Sequence, residues 1–319
     1  MLDIKFIREN PEKVREGLRK KGVKIDIDRI LELDEKRRTL LRRVEKLRAE
    51  QNKISADKEI PKDKLKAARE LKEIINGLEY ELKEIEEEFN KIIMELPNLP
   101  LDEVPEGKDE LENVILREVG EKPEFSVKGG FKPKDYLEIS QNLDLIDIER
   151  AGKVSGTRFG YLKNEAALLE MILIQFAFDT LTKEGFVSVI PPVLIKPESM
   201  RGMGYIDTEA DKEERYFLEK DNLYLVGTSE QSIGPMHKDE IFKEEELPKR
   251  YLAFSACFRR EAGSYGKDTK GILRVHQFDK VEMFSFCEPE KSKEEHQFLL
   301  SQEEKLMQAL KIPYRVVQL

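Results

Sequence analysis

The sequence predicts an α+β fold in two parts: an antiparallel coiled-coil hairpin, then a body of strands and helices. Three observations carry this. Apolar residues recur every seven positions through most of the first hundred residues. The stretch from 164 to 184 is a long apolar helix followed by strand-forming residues. From Phe254 to Glu282 two strands are joined by a glycine-containing loop, and their charges alternate with apolar residues.

The hairpin is read from two heptad series. Leu33, Leu40, Leu47 and Ile54 form one seam, with Ile30 and Val44 on its companion. After a break, Ala68, Ile75, Leu82, Phe89 and Leu96 form a second series beside Leu71, Leu78, Ile85 and Ile92. These are a and d positions of two helices. The break, SADKEIPKD, holds the one proline that stops the first helix and starts the second. Two helices of similar length across a short turn return antiparallel, giving an arm of about 45 Å at about 1.5 Å per residue. LPNLPLDEVPEG, with three prolines, ends it as a linker. The division is therefore 1–101 for the arm and 102–319 for the body.

Charge is segregated along the arm. Residues 36–72 carry 14 Lys or Arg against 6 Asp or Glu; residues 79–95 carry 2 against 7. Coiled coils are commonly charged outside the seam, but uniform mixing would not put a net +8 at the tip and −5 lower down. A rigid arm with a cationic tip can lie along a phosphate backbone and bind by counterion release, sensing shape more than base sequence. A protein-binding coiled coil is the other reading.

In the body, NEAALLEMILIQFAFDTLTKE reads as a helix ended by Gly185. GFVSVIPPVLI follows as a strand, and Pro191-Pro192 confine it to an edge or boundary. LYLVGTSEQ is apolar until Thr228 and Glu230, placed here on one strand-end face. A hydroxyl and a carboxylate so spaced suit an ammonium group, although Thr-x-Glu alone is a weak signal.

In FSACFRREAGSYGKDTKGILRVHQFDKVE, period two puts Arg274, His276, Phe278, Lys280 and Glu282 on one face of the second strand, and Cys257, Arg259 and Glu261 together on the first. Val275, Val281 and Met283 face the other way. A solvated sheet face is the bland alternative. Phe278 and His276 interrupt the charges, however, and GSYGKDTKG is too long for a tight hairpin. Cations, carboxylates and a ring on one surface suit a phosphate, a flat base and an ammonium group.

Composition excludes more than it identifies. Charged residues make up 38% of 319, consistent with a long exposed coiled coil or a thermophilic source. The net charge of −9 argues, taken alone, against a nucleic-acid partner. Two cysteines, Cys257 and Cys287, point to a reducing, cytoplasmic setting and read as small buried residues. His237, His276 and His296 form no ligand-spaced cluster, so no protein metal site is expected. There is no apolar leader at the start and no run of 18 apolar residues, so no membrane association is expected. No Ser-His-Asp or Cys-His arrangement is evident.

These segments carry a family resemblance. FRREAG followed by RVHQFDKVE resembles motif 2 of class II aminoacyl-tRNA synthetases in the form found in seryl-tRNA synthetases. SGTRFGYLKNEAALLE, GFVSVIPPVLIKPESMRGMG and LVGTSE are similar to that family's further landmarks in order, and MLDIKFIRENPEKVREGLRKKG to its opening. The resemblance covers essentially the whole chain. It implies a class II antiparallel sheet flanked by helices and a homodimer through the motif 1 helix and strand. The implied activity is ligation of serine to tRNA(Ser) through seryl-adenylate, with ATP and Mg²⁺ as cofactors; charging of tRNA(Sec) is left open. Arg259 would grip the α-phosphate, Glu261 accept from the adenine amino group, Phe278 stack on the ring and Arg274 meet the outer phosphates. Arg260 and Val275 would complete the ATP site, and Thr228, Ser229, Glu230 and Glu282 the serine site. The tRNA would meet Arg37, Arg38, Arg42, Arg43, Lys46 and Arg48 on the arm, and Lys267 and Lys270 on the motif 2 loop.

Two departures qualify this. DYLEI stands where the family commonly has a His-Trp pair, and no Gly-x-Gly-x-Arg segment of the motif 3 type is found. The expectation is therefore an incomplete catalytic domain whose 319 residues alone are inactive or weak. A non-catalytic tRNA-binding paralogue, or a ligase loading a carrier protein, are the alternative readings. Arg259, Glu261 and Glu282 weigh against the first, and the basic arm against the second.

Overall fold

A computed structural model describes residues 2–55, 62–107, 109–123, 132–206, 208–262 and 271–319. The chain forms two compact units, 1–115 with 317–319, and 116–316.

In the first unit, α1 (Ile4–Glu9) is capped by the Asp3 carboxylate, which accepts from the Lys5 N–H at 2.8 Å. Pro11 opens α2 (Pro11–Lys20), where its missing N–H costs nothing. The arm follows as α3 (Ile27–Ser55) and α4 (Lys62–Met94), packed along each other. The heptad seam is buried as spaced: Leu40, Val44, Ile75, Leu78 and Leu82 form one cluster. Ile30, Leu33, Phe89 and Leu96 join Ile7, Val14, Leu18 and Ile27 of the base in another. One position shifts. Ile93 is buried where the heptad placed Ile92, because α1 and α2 widen the apolar contact at the base beyond a two-helix seam.

Arg37 belongs to this packing. Its guanidinium lies 4.7 Å from the Phe89 ring centroid and 3.2 Å from the Asp34 carboxylate. Asp34 is 1% exposed and also pairs with Arg8 at 3.1 Å. A buried carboxylate needs such partners, so Arg37 pins the arm rather than projecting from it.

From residue 114 on, the chain runs β1 (Val114–Val119), α5 (Tyr136–Asn142), β2 (Ile146–Asp147), α6 (Ile148–Ser155), β3 (Tyr161–Leu162), α7 (Asn164–Leu181), β4 (Val187–Val189) and β5 (Leu194–Ile195). It continues with α8 (Pro197–Gly202), α9 (Glu209–Glu213), β6 (Phe217–Leu218), β7 (Leu223–Leu225), α10 (Glu230–Ile233), β8 (Lys249–Phe258), β9 (Gln277–Phe286), α11 (Ser292–Ala309) and β10 (Tyr314–Gln318). α7 passes through a 3₁₀ turn and stops at Gly185, whose φ of 89° suits a residue without Cβ.

The central sheet has order β4-β8-β9. β8 and β9 are antiparallel, but β4 joins β8 in parallel, so the sheet is mixed. A parallel partner needs a long crossover, and here it contains the separate sheet β5-β7-β6. Pro191 and Pro192 follow β4 at the edge, as their lack of donors requires. The apolar face of β9, Val281 and Met283, packs with Leu181, Phe186 and Leu252. α7 buries Ala177 and Leu181 but leaves Leu168, Leu169, Met171 and Ile172 more than half exposed.

Candidate active site

The β8–β9 register sets the site. Cys257 lies opposite Phe278, Ser255 opposite Lys280 and Ala253 opposite Glu282, so these six share one face. The strands are shorter than the alternation implied. Arg259 and Glu261 lie beyond β8, and Arg274 and His276 precede β9. Glu261 takes a left-handed φ of 53°, which a ladder does not accommodate. The pairing still continues one step: the Arg259 N–H donates to the His276 carbonyl at 3.0 Å, and His276 Nδ1 lies 2.9 Å from the Arg259 carbonyl, which can only accept. A hydrogen of His276 Nδ1 must face that carbonyl, so Nδ1 is the donor.

Arg259 is anchored at one end and open at the other. Its Nε donates to the Gly227 carbonyl at 3.1 Å, and its guanidinium lies 5.1 Å from the Phe278 ring centroid. A Cβ on Gly227 would meet the Phe258 carbonyl at 3.3 Å and the Arg259 side chain at 3.4 Å, so this close approach favours glycine. Arg274 pairs with Glu261 at 2.9 Å, and Arg158 donates to the Glu261 carbonyl at 3.0 Å. Arg259, Glu261 and Arg274 line a cavity of about 420 Å³ with Gly227, Thr228 and Gln231.

Arg260, Val275 and Phe278 are placed differently. Arg260 turns toward Tyr216, 5.9 Å from its ring centroid, and does not line this cavity. Val275 and Phe278 border a neighbouring cavity of about 530 Å³.

The Thr228 region is a turn, not a strand end: β7 stops at Leu225, and Glu230 begins α10. The turn carries Thr228 and Ser229 onto Glu282. Thr228 Oγ1 and Ser229 Oγ donate to Glu282 Oε2 at 2.7 and 2.9 Å. Lys280 Nζ donates to Thr228 Oγ1 at 2.9 Å and to Glu282 Oε1 at 2.7 Å. Burial alone would raise the Glu282 carboxyl. Donation from Lys280 and Thr228, with the nearby Lys280 charge, outweighs it and holds the group below the usual carboxylate value. Glu230 is turned elsewhere: it accepts from the Tyr205 hydroxyl at 2.7 Å. Burial and that carboxylate push the Tyr205 hydroxyl well above its ordinary range. Buried Gln231 fixes the turn by accepting from the Gly227 N–H at 2.8 Å.

Three functional candidates, Tyr205, Arg215 and Gln231, escaped the sequence reading, and a fourth, Lys280, was read only in part. Lys280 was legible as a face-sharing cation, but its bridge between Thr228 and Glu282 was not. Tyr205, Arg215 and Gln231 come from loops and a short helix with no periodic signal. On the arm, Arg42, Arg43 and Lys46 are exposed, Arg38 pairs with Glu35 at 3.2 Å, and Arg48 pairs with Glu79 across the hairpin at 2.6 Å. Lys267 and Lys270 lie outside the described residues.

A mixed sheet with these arginines and carboxylates at the exits of one strand pair is the core of a class II aminoacyl-tRNA synthetase, and residues 216–319 match the tRNA synthetase class II core domain (G, H, P, S and T). Residues 1–100 match the seryl-tRNA synthetase N-terminal domain. The chain is 44% identical to the serine–tRNA ligase of Dictyoglomus turgidum, over all of this chain and 76% of that protein. Against the one from Acidothermus cellulolyticus it is 44% identical, over 99% and 75%. Its fold matches seryl-tRNA synthetase from Pyrococcus horikoshii complexed with ATP at a TM-score of 0.86 and 40% identity, covering 99% of this chain and 76% of that one. The cytoplasmic serine–tRNA ligase of Naegleria fowleri in complex with AMP gives 0.85 at 32% identity, covering 99% and 74%. The chain belongs to the seryl-tRNA synthetase family.

Proposed function

We propose that the chain activates serine with ATP and transfers the seryl group to tRNA(Ser), with tRNA(Sec) as a second candidate acceptor. The observation that carries this reading is the joint placement of Arg259 at the cavity and of Thr228, Lys280 and Glu282 in one hydrogen-bonded set beside it. The serine carboxylate attacks the α-phosphorus and diphosphate leaves. A terminal ribose hydroxyl of the tRNA then attacks the seryl carbonyl and AMP leaves. Such chemistry needs placement and charge neutralisation more than a protein nucleophile. Arg259 holds the α-phosphate and Arg274, positioned by Glu261, the outer phosphates; Phe278, under the Arg259 guanidinium, offers its ring to the base, and Arg260, turned toward Tyr216, stands outside the cavity. Glu282 and Thr228 take the serine ammonium and Ser229 supports them, while Glu230, held by Tyr205, serves the hydroxyl end.

Mg²⁺ would arrive on the phosphates and supply charge neutralisation there. No group of three candidate metal ligands occurs among the described residues, and the cavity offers only Glu214 and Glu261 as carboxylates, which fits a cation held chiefly by the nucleotide. The exposed apolar side of α7 supports a homodimer through that helix. No helix of the described residues is long and apolar enough to cross a membrane, and a cytoplasmic location accompanies the proposed activity.

The chain spans about three-quarters of the length of the relatives it matches. The deciding experiment is calorimetry with a non-hydrolysable seryl-adenylate analogue. Saturable binding with a Kd of about a micromolar or tighter is expected. No binding by a folded chain would favour the second reading, a non-catalytic tRNA-binding paralogue.

The arm has its own test. Exchanging Arg42, Arg43 and Lys46 for Gln should weaken tRNA binding about 10- to 100-fold at low salt. The slope of log affinity against log salt should fall by about two to three. Adenylate-analogue binding should not change. An unaltered salt slope would remove the arm from the tRNA interface.

A further inference from the structure

Arg215 is the cation in the cavity that neither the motifs nor the pairing pattern accounts for. It leaves α9 toward β6, and its backbone is tied on both sides. The Arg215 N–H donates to the Lys212 carbonyl at 3.1 Å, and the neighbouring Glu214 carbonyl accepts from the Arg260 N–H at 3.1 Å. The Tyr216 carbonyl accepts from the Leu225 N–H at 2.9 Å. The segment is thus strapped to β7 and to the residues that follow β8, which fixes Arg215 beside Arg259. Its guanidinium stacks over Tyr205 at 5.1 Å, and its Nη1 reaches the Glu214 carbonyl only at 3.5 Å. Its Nε is buried with no acceptor among the described residues.

Arg215, Arg259 and Arg274 all line the one cavity, against Glu214 and Glu261. Arg274 is engaged by Glu261. Burial, then the charge of Arg259, lowers the Arg215 pKa, although guanidinium remains charged at any physiological pH. Two guanidiniums held next to each other at a cavity wall repel, and the arrangement is relieved by an anion that both can reach. A phosphate presents enough oxygens for two forks at once.

Building on the activity proposed above, we infer that Arg215 is a second phosphate-binding arginine, sharing with Arg259 the non-bridging oxygens of the nucleotide α-phosphate. It would neutralise charge at the reacting phosphorus from the same cavity wall as Arg259. Tyr205 has two tasks here: its ring positions Arg215, and its hydroxyl positions Glu230. The nucleotide and amino-acid halves of the site are thereby linked through one side chain.

The test is a comparison of adenosine, AMP and ATP binding by calorimetry to the 319-residue chain and to its Arg215→Met and Arg215→Lys forms. Arg215→Met should weaken AMP and ATP by the same factor, about 10- to 100-fold, and leave adenosine within about twofold. Arg215→Lys should recover part of the loss, since a point charge replaces the fork. Equal weakening of adenosine would mean a packing role and overturn the inference. A loss confined to ATP would place Arg215 on the outer phosphates and overturn the α-phosphate assignment, and unchanged AMP and ATP affinities in Arg215→Met would remove Arg215 from the site. Both of these leave the synthetase reading intact. Failure of the unaltered chain to bind any of the three would overturn the activity and the inference together.

Discussion

Arg259→Ala should lower affinity for a seryl-adenylate analogue by at least about 100-fold, or about 2.7 kcal/mol. The size follows from what the side chain does at once. Its Nε is spent on the Gly227 carbonyl, so the rest of the guanidinium is aimed without further ordering cost. It also lies over the Phe278 ring, so truncation loosens the aromatic surface on which the base should stack. Phosphate at this point exchanges water for charge-assisted donors in a partly enclosed cavity, where such bonds are stronger than in solvent. Arg259→Lys should recover little, because an ammonium cannot bond the Gly227 carbonyl and present a fork together. The unfolding temperature separates this from collapse: Arg259 is not part of an apolar core cluster, so the variant should melt within a few degrees of the parent. A loss smaller than about threefold would take Arg259 out of the adenylate site.

The parts of the fold that were legible beforehand were those with a period. Leu40, Val44, Ile75, Leu78 and Leu82 repeat every three or four residues and are buried together. Val281 and Met283 alternate with Lys280 and Glu282, and they face the core. Where a residue's role depends on a partner far along the chain, the period carries no information. Lys280 was placed on the right face, yet nothing local tells that Thr228, more than fifty residues earlier, will accept its hydrogen bond. Arg37 looked like another arm cation until Phe89 and Asp34 were brought to it. The strand ends were overextended because alternation of charge continues through Arg259–Glu261 and Arg274–His276, while the backbone leaves the ladder at the positive φ of Glu261. The strand β4 was legible, but its parallel pairing was hidden for a related reason: it joins β8 across about sixty residues of intervening chain, and only the tertiary arrangement reveals it.

Glu282→Gln should abolish serine-dependent binding and also cost stability. The carboxylate takes three hydrogen bonds, from Thr228, Ser229 and Lys280. An amide cannot balance the Lys280 charge, and it turns a donor toward groups that themselves donate. The loss should be about 1–3 kcal/mol at neutral pH, seen as a lower unfolding temperature, with serine affinity reduced more than about 100-fold. The pH dependence distinguishes this from a simple packing defect. The folded Glu282 carboxyl lies below its ordinary value. Its contribution is therefore fully present above the unfolded carboxylate pKa, about 4.3, and is lost as pH falls through the folded pKa. The gap in unfolding temperature between parent and variant should accordingly be constant from pH 6 to 8 and narrow below about pH 4. A gap that persists unchanged into acid would mean that Glu282 acts by shape rather than by charge, and its assignment to the serine ammonium would fail with it. Lys280→Met complements this test: it removes the cation between Thr228 and Glu282 while leaving the carboxylate, so the Glu282 carboxyl should rise and the acid transition should move to higher pH.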